Sequence, residues 1–163
     1  MTTEADLTTI AEQERVLQFA ALDYDKLWEL GVNLRALALA RGLALAIEIH
    51  LAGTVVFSTV MPGASASNTD WARRKRNVVE TLHTSSYAVG LAAKAKGVSF
   101  EQETGRPARD FATHGGSFPL KLIGSVFVGS VTVSGAPQRI DHELVVEALA
   151  RMLGVDYAGI ALP

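Results

Sequence analysis

The sequence contains no cysteine, and charge of neither sign predominates. Without cysteine, disulfide bonds, thiol catalysis and cysteine-ligated zinc or iron–sulfur centres are excluded. The 163 residues have a formal net charge of −2. A globally basic protein that binds nucleic acid is therefore not expected, and we predict no nucleic-acid partner.

Long hydrophobic runs are also absent. The most apolar stretch, residues 34–49, is interrupted by Arg35, Arg41 and Glu48. A membrane-spanning helix needs roughly 20 predominantly apolar residues, so this stretch predicts buried core and no membrane partner. The N-terminus has no basic region followed by an apolar one, as a signal peptide would have. We expect a soluble, cytoplasmic protein.

The hydrophobic fraction of 48% and the charged fraction of 20% are typical of a folded domain rather than a disordered chain. We predict a leader with helical tendency over residues 1–22, followed by one domain over residues 23–163. Apolar residues at helical spacing predict a helix from Asp23, as N-cap, to Arg41. Alternating and β-branched residues over 43–51 and 54–61 predict two strands joined by a tight turn at Ala52-Gly53.

The later part of the chain alternates between helical and extended patterns. A long helical segment is predicted over residues 68–97, with N-caps at Asn68, Thr69 or Asp70 and a bend near residues 84–86, and a short helical turn over residues 99–105. Extended patterns follow over residues 111–114, 119–123 and 124–134, and a last helix runs from Pro137 to Leu153. This order favours an α+β domain with an antiparallel sheet.

The first segment that could carry chemistry is the basic start of the long helix. Asn68 and Trp71 are followed by four consecutive cations, residues 73–76. Cations at the positive end of a helix dipole are better tolerated beside an anion, which could be an acidic neighbour, a partner subunit or a ligand. Trp71 shares one helix face with Arg74 and Lys75. The alternative interpretation is a solvated basic face on which Trp71 is a packing anchor.

The second segment is the turn His114-Gly115-Gly116. Paired glycines permit positive φ and close approach of a ligand, and their N–H groups can bind an anion. His114 can donate, accept or titrate near neutral pH, which makes it the candidate acid–base group if the protein is a catalyst. The alternative is a loop corner with a hydrogen-bonded histidine. Glu80 and His83 form a single Glu-x-x-His pair, which is too little for a metal site, so we predict none.

Three segments carry a family resemblance. They are residues 71–77, residues 114–119, and residues 131–135 followed by Asp141-His142-Glu143. Together they resemble an uncharacterised branch of the haem-degrading-domain superfamily, which includes HbpS, GlcG and the C-terminal domain of PduO. The resemblance covers about residues 24–154. It implies a profilin-like α+β fold with an antiparallel sheet of about five strands flanked by helices, and homo-oligomers built from dimers. Haem is a candidate cofactor by this resemblance only.

Two functional hypotheses follow. The first is an oligomeric protein that binds a small anionic ligand, either a phosphate- or carboxylate-bearing metabolite or a tetrapyrrole through its propionates. Its predicted ligand-binding residues are Asn68, Trp71, Arg74, Lys75, His114, Gly115 and Gly116. The second is an interaction or scaffold module whose basic segment contacts an acidic partner and which has no small-molecule chemistry. The mean hydropathy of +0.22 and the valines on both faces of the strand at residues 124–134 also predict that the protein is not a monomer.

Overall fold

A four-stranded antiparallel sheet forms the centre of the protein in the computed structural model, which describes residues 3–163. The strands lie in the order β2-β1-β4-β3. They are β1 (Ala46–Leu51), β2 (Thr54–Val60), β3 (Ser117–Leu122) and β4 (Val126–Ser134). The α+β class and the antiparallel sheet are as predicted. The sheet has four strands rather than about five, and Phe19 adds one isolated bridge to Leu122 at the β3 edge.

Six α-helices surround the sheet within the described residues. They are α1 (Thr3–Val16), α2 (Tyr24–Ala40), α3 (Ala66–Leu82), α4 (Ser86–Lys96), α5 (Phe100–Thr104) and α6 (Gln138–Leu153). Helix α1 packs against α4, and the carboxylate of Asp6 pairs with Arg139 of α6 at 2.9 Å. Residues 1 and 2 of the predicted leader lie outside the described residues. No helix in residues 3–163 has the length and apolar character needed to span a membrane.

Local signals place several boundaries where the sequence predicts them. The side chain of Asp23 caps α2 by accepting a hydrogen bond from the N–H of Lys26 at 2.8 Å. Ala52 and Gly53 both have positive φ, 49° and 79°, as a two-residue hairpin turn requires. The predicted helical turn over residues 99–105 is α5, which has a capping box formed by Ser99 and Gln102.

The start predicted for the long helical segment is wrong, and the segment forms two helices, α3 and α4. Helix α3 begins after Ser65, because the N–H of Ser65 donates to the side chain of Asn68 at 2.9 Å. It ends at His83, which is in the left-handed region, and Ser85 caps α4. The predicted strand over residues 111–114 is a loop, because the N–H of Ala112 donates to the carbonyl of Arg74 rather than to a strand.

The two faces of the sheet differ in polarity, and helices cover both. Alternate residues of the central strands, such as Ile49 and Val131, are fully buried with α2 and α6 in the main hydrophobic core. The intervening residues, such as His50 and Ser130, face α3 and bond to its side chains. Helix α3 covers the second face of the sheet within the chain, so the prediction that the protein is not a monomer gains no support from an uncovered sheet face. The polar layer beneath α3 extends to the end of the sheet where the candidate site lies.

Candidate functional site

A cavity of about 300 Å³ lies where α3, the turn at residues 114–116 and the start of α6 meet. Four of the predicted ligand-binding residues line it together: Asn68, Trp71, Lys75 and His114. The other lining residues come from the β4–α6 connection and the first residue of α6: Ser134, Gly135, Ala136 and Gln138. The structure therefore brings the basic helix start and the histidine turn to one cavity.

Lys75 forms a buried ion pair in the wall of this cavity. Its Nζ lies 2.9 Å from Oδ2 of Asp141 and donates to the carbonyl of Val133 at 3.3 Å. The two residues are only 3% and 1% exposed. Burial lowers the pKa of Lys75 and raises that of Asp141, while each charge opposes the shift of the other. Asp141 also accepts from the N–H groups of Gly135 and Ala136, which fixes the carboxylate.

His114 lies at the cavity's open side and is exposed to solvent over part of its surface. Its ring meets the Trp71 ring edge-on, with centroids 4.9 Å apart, and forms no hydrogen bond within the part of the chain that the structure describes. Burial lowers the pKa of His114, and the positive charges of Lys75 and Arg74 lower it further. The imidazole is therefore neutral at neutral pH, with one nitrogen free to donate and the other free to accept.

The glycine turn is held rigidly by its neighbours. The Ser86 hydroxyl donates to the carbonyl of His114 at 2.6 Å and accepts from the N–H of Ser117 at 3.2 Å. Gly116 has a φ of 132°, and a Cβ there would lie 2.4 Å from the carbonyl oxygen of Val133. The N–H of Gly115 donates to Oε1 of Gln138 at 3.3 Å. Gly115 and Gly116 do not line the cavity, and their observed role is to let the turn pack against β4 and α6.

The four consecutive cations of α3 have four different environments. Arg73 pairs with Asp70 and Asp110, and Arg76 pairs with Glu48 at 2.5 Å. Arg74 has no carboxylate partner among residues 3–163. Its guanidinium donates to the carbonyl of Ala108 at 2.9 and 2.7 Å and lies over Trp71, 4.3 Å from the ring centroid. Three of the four cations are thus paired with acidic side chains of the same chain, which is one of the alternatives that the sequence analysis left open.

Two further cavities meet the first at His114. One, of about 200 Å³, is lined by Arg74, Arg106 and Phe111, and the other, of about 300 Å³, by Asp6, Tyr87 and Lys94. Arg74 lines the smaller neighbour instead of the cavity beside Lys75. His114 thus stands at the junction of three recesses, so a ligand bound at its ring can extend in more than one direction.

The sequence analysis missed two residues of this site, Asp141 and Gln138. Asp141 belongs to one of the segments that carry the family resemblance, but its pairing with Lys75 spans 66 residues. Gln138 lines the cavity because it is the first residue of α6, beside the turn that it bonds. No local pattern marks either contact.

A resident metal or a haem iron finds little support in these side chains. The described residues contain no group of three or more histidine, aspartate or glutamate side chains arranged for a metal ion. A haem iron takes an axial ligand such as histidine, and His114 is the one histidine lining the cavity in the described chain. Apart from Trp71 and Ala136 the lining is polar or glycine, without the apolar slot that a porphyrin ring needs, so the residues do not fit a buried haem.

An antiparallel sheet covered by helices on both faces, with a polar cavity at one end, defines an α+β protein of the HbpS fold type. The chain belongs to the family described as haem-degrading protein HbpS-like, whose model matches residues 22–150. It is similar to UPF0303 proteins. One from Acidobacterium capsulatum is 46% identical over 100% of this chain and 99% of its own length. Another, from Paraburkholderia phymatum, is 51% identical over 96% of this chain and 95% of its own.

Solved structures of low sequence identity share the fold. The crystal structure of the Ybr137w protein has a TM-score of 0.82 and 24% identity, covering 91% of this chain and 87% of that one. The crystal structure of a PduOC:heme complex has a TM-score of 0.69 and 21% identity, covering 80% of this chain and 94% of that one. The predicted family resemblance is confirmed.

Proposed function

We propose that this protein binds a small ligand through an anionic group held beside His114. The observation that carries the proposal is that His114 shares one cavity with Lys75 and Asn68 and the adjoining cavity with Arg74. Burial lowers the pKa of His114 first, and the charges of Lys75 and Arg74, which lower it further, favour a negative group beside the ring. The ring itself has no hydrogen-bond partner among the described residues and is free to donate to that group.

The other groups around the ring match an anionic ligand. Asn68 uses its side-chain oxygen for the N-cap of α3, which leaves its NH₂ group to donate into the cavity. Arg74 has no competing carboxylate among the described residues, and Trp71 offers one wall for stacking. Lys75 contributes its field while its ion pair with Asp141 holds it in place.

The ligand class that these groups support is a metabolite with a phosphate or carboxylate. The family description and the haem-bound structural neighbour add tetrapyrroles to that class, through their carboxylates rather than through iron. A neutral His114 can also accept a proton from a bound ligand, so acid–base catalysis by His114 stays a prediction that depends on binding.

We expect inorganic phosphate to raise the pKa of His114, because a bound anion stabilises the imidazolium. The measurement is an NMR titration of the His114 ring with and without phosphate, analysed also for the dissociation constant.

Replacing Arg74 by glutamine removes a charge-assisted contact of about 1.5–3 kcal/mol, so phosphate affinity should fall by about one to two powers of ten.

The matched control is Arg73→Gln, which removes the adjacent arginine whose guanidinium is already held by Asp70 and Asp110. It should change phosphate affinity less than about threefold, because an exposed, paired charge contributes little. Equal losses in the two variants, or a His114 titration that phosphate leaves unchanged, would contradict the proposed site.

We expect haemin, where it binds, to bind without a histidine–iron bond. The test is a titration of the purified protein with haemin, followed in the Soret region, for the natural chain and for His114→Ala. The two titrations should give the same spectrum. A sharp, saturable Soret shift that His114→Ala abolishes would show an axial ligand and would overturn this prediction.

A further inference from the structure

Three of the ten arginines have no carboxylate partner among residues 3–163: Arg35, Arg74 and Arg106. Each of the other seven forms an ion pair within the chain. Arg35 lies on the exposed side of α2, whereas Arg74 and Arg106 line one cavity of about 200 Å³ together with His114. Two arginines without a counter-charge at one cavity indicate that an anion from outside the chain can pair with them.

Arg106 keeps its whole guanidinium available at that cavity. The residue is partly buried, and its Cζ lies 5.8 Å from the centroid of the Phe111 ring. The guanidinium forms no hydrogen bond with any residue of the described chain. Its five N–H groups therefore remain free to bind an anion, while the aromatic ring supports the side chain from one side.

The loop that carries Arg106 is fixed to α3. Three consecutive carbonyls of the loop, residues 108–110, accept hydrogen bonds of 2.7 to 2.9 Å from side chains of α3. The donors are Arg73, Arg74 and Asn77. In the other direction, the N–H of Ala112 donates to the carbonyl of Arg74 at 3.1 Å. A loop held in this way is ordered before a ligand binds, so binding loses little conformational entropy there.

One aromatic ring separates this smaller cavity from the larger one beside Lys75. Trp71 lines the larger cavity, and the Arg74 guanidinium, which lines the smaller one, lies 4.3 Å from the centroid of the Trp71 ring. His114 borders both cavities, whereas Arg106 borders the smaller one alone. A ligand whose first anionic group lies beside His114 therefore has space for a second group next to Arg106.

The charge and the size of the smaller cavity suit a second anionic group. Glu101 is the one carboxylate that lines it in the described chain, and this exposed residue forms no ion pair with Arg74 or Arg106. The charged side chains are thus two cations and one anion, which leaves a net positive charge. The volume of about 200 Å³ is smaller than that of pockets for drug-sized ligands, so it suits a single carboxylate or phosphate group.

We infer that the ligand carries two anionic groups and that Arg106 is a specificity-determining residue, which binds the second group in the smaller cavity. This inference rests on the proposed function, which supplies the first group beside His114. The ligand class is a small dianionic metabolite with a short linker between its anionic groups. It is either a dicarboxylate or a carboxylate that also carries a phosphate.

The test compares dicarboxylates with monocarboxylates of the same length. Succinate, glutarate and adipate are each titrated into the natural protein beside the straight-chain monocarboxylate of equal length, and the His114 ring is followed by NMR. At least one dicarboxylate should bind about tenfold or more tightly than its monocarboxylate, because it gains a charge-assisted contact with Arg106. That difference exceeds the statistical advantage of two equivalent carboxylates.

Variants at three positions identify the residue responsible. Arg106→Gln should lower the affinity of that dicarboxylate by about tenfold and change the affinity of the monocarboxylate by less than about threefold. The matched control is Arg109→Gln in the same loop, because Arg109 is 84% exposed, pairs with Asp110 and lines none of the cavities at His114. It should change neither affinity. Glu101→Gln removes the competing carboxylate and should strengthen dicarboxylate binding.

The outcomes separate this inference from the proposed function. Dicarboxylates that bind no more tightly than monocarboxylates overturn the inference, and so does an Arg106→Gln variant that retains full dicarboxylate affinity or that weakens both classes equally. In each of these cases, monocarboxylate binding at His114 still supports the proposed site. If neither class alters the titration of His114, the proposed function itself is wrong.

Discussion

Replacing Lys75 by methionine is expected to lower the free energy of unfolding by about 3–5 kcal/mol, because it leaves the buried carboxylate of Asp141 without its counter-charge. The Asp141 side chain is 1% exposed, and its Oδ2 lies 2.9 Å from the Lys75 Nζ. Two backbone N–H groups continue to bond the carboxylate, but they do not neutralise it. Chemical denaturation at pH 7 measures the loss.

The pH dependence of that loss separates an unpaired charge from a packing defect. Burial already raises the pKa of Asp141, and removing Lys75 takes away the charge that opposes this rise. The folded variant therefore binds a proton at a higher pH than the unfolded chain does. Its deficit relative to the natural protein should shrink as the pH falls from 7 to 5, whereas a cavity left by the substitution would cost the same at both pH values.

Two further variants complete this experiment. Lys75→Met combined with Asp141→Asn removes both charges and keeps an oxygen that can accept from the backbone, so it should recover at least half of the loss. Lys96→Met is the control, because Lys96 belongs to a largely exposed pair with Glu103 and should cost less than about 1 kcal/mol. A Lys75→Met variant that is as stable as this control would show that Asp141 needs no counter-charge.

The contrast between Lys75 and Asp23 shows which parts of the molecule its sequence predicts. The N-cap of α2 depends on a side chain and an N–H only three residues apart, so the local sequence predicts it directly. The same holds for Ala52-Gly53, where a two-residue turn determines how β1 pairs with β2. Ser65 was missed because its capping partner is Asn68 rather than the usual glutamate or glutamine, although the same local geometry results.

Contacts between distant residues explain what the sequence did not predict. The basic run on α3 indicated that anions must be close, but nothing in its spacing identifies Asp141 or Glu48 as the residues that supply them. The site was predicted as two segments that converge, and its four cavity-lining members do lie together. Their environments depend on the topology of the sheet end, which determines that Lys75 is buried while Arg74, one residue earlier, remains at the surface.

Acidification from pH 6.5 to 4.5 is expected to destabilise the protein by about 2–3 kcal/mol through His142 alone. This histidine is 1% exposed, and burial, followed by the charge of Arg139, lowers its pKa from 6.5 to about 3. In the unfolded chain the imidazole takes up a proton below about pH 6.5, but in the folded protein it does so only near pH 3. Stability from this group is therefore complete above pH 6.5 and is lost as the pH falls towards 3.

The hydrogen bonds of His142 determine which ring nitrogen carries the proton while burial keeps the ring neutral. The carbonyl of Ile160 can only accept, so Gln13 of α1 turns its NH₂ group to it, at 2.7 Å, and its Oε1 to His142, at 2.8 Å. His142 must then donate from Nε2. The single Gln13 side chain links α1, α6 and the C-terminal segment, and it is fully buried.

The variant His142→Gln should abolish this part of the acid loss, even where it lowers stability at pH 7. The quantity to compare is the change in the free energy of unfolding between pH 6.5 and 4.5. Carboxylates also lose stability on acidification, and they do so in every variant. Glu48 is one of them, because His50 and Arg76 lower its pKa against the effect of burial. His83→Gln removes an exposed histidine that stacks on Phe127 and serves as the control, which should keep the full acid loss. If His142→Gln loses as much stability on acidification as the natural protein and this control do, His142 is not the group that takes up the proton. If its loss is smaller by about 2–3 kcal/mol, the neutral histidine between α1 and α6 is what makes the fold sensitive to acid.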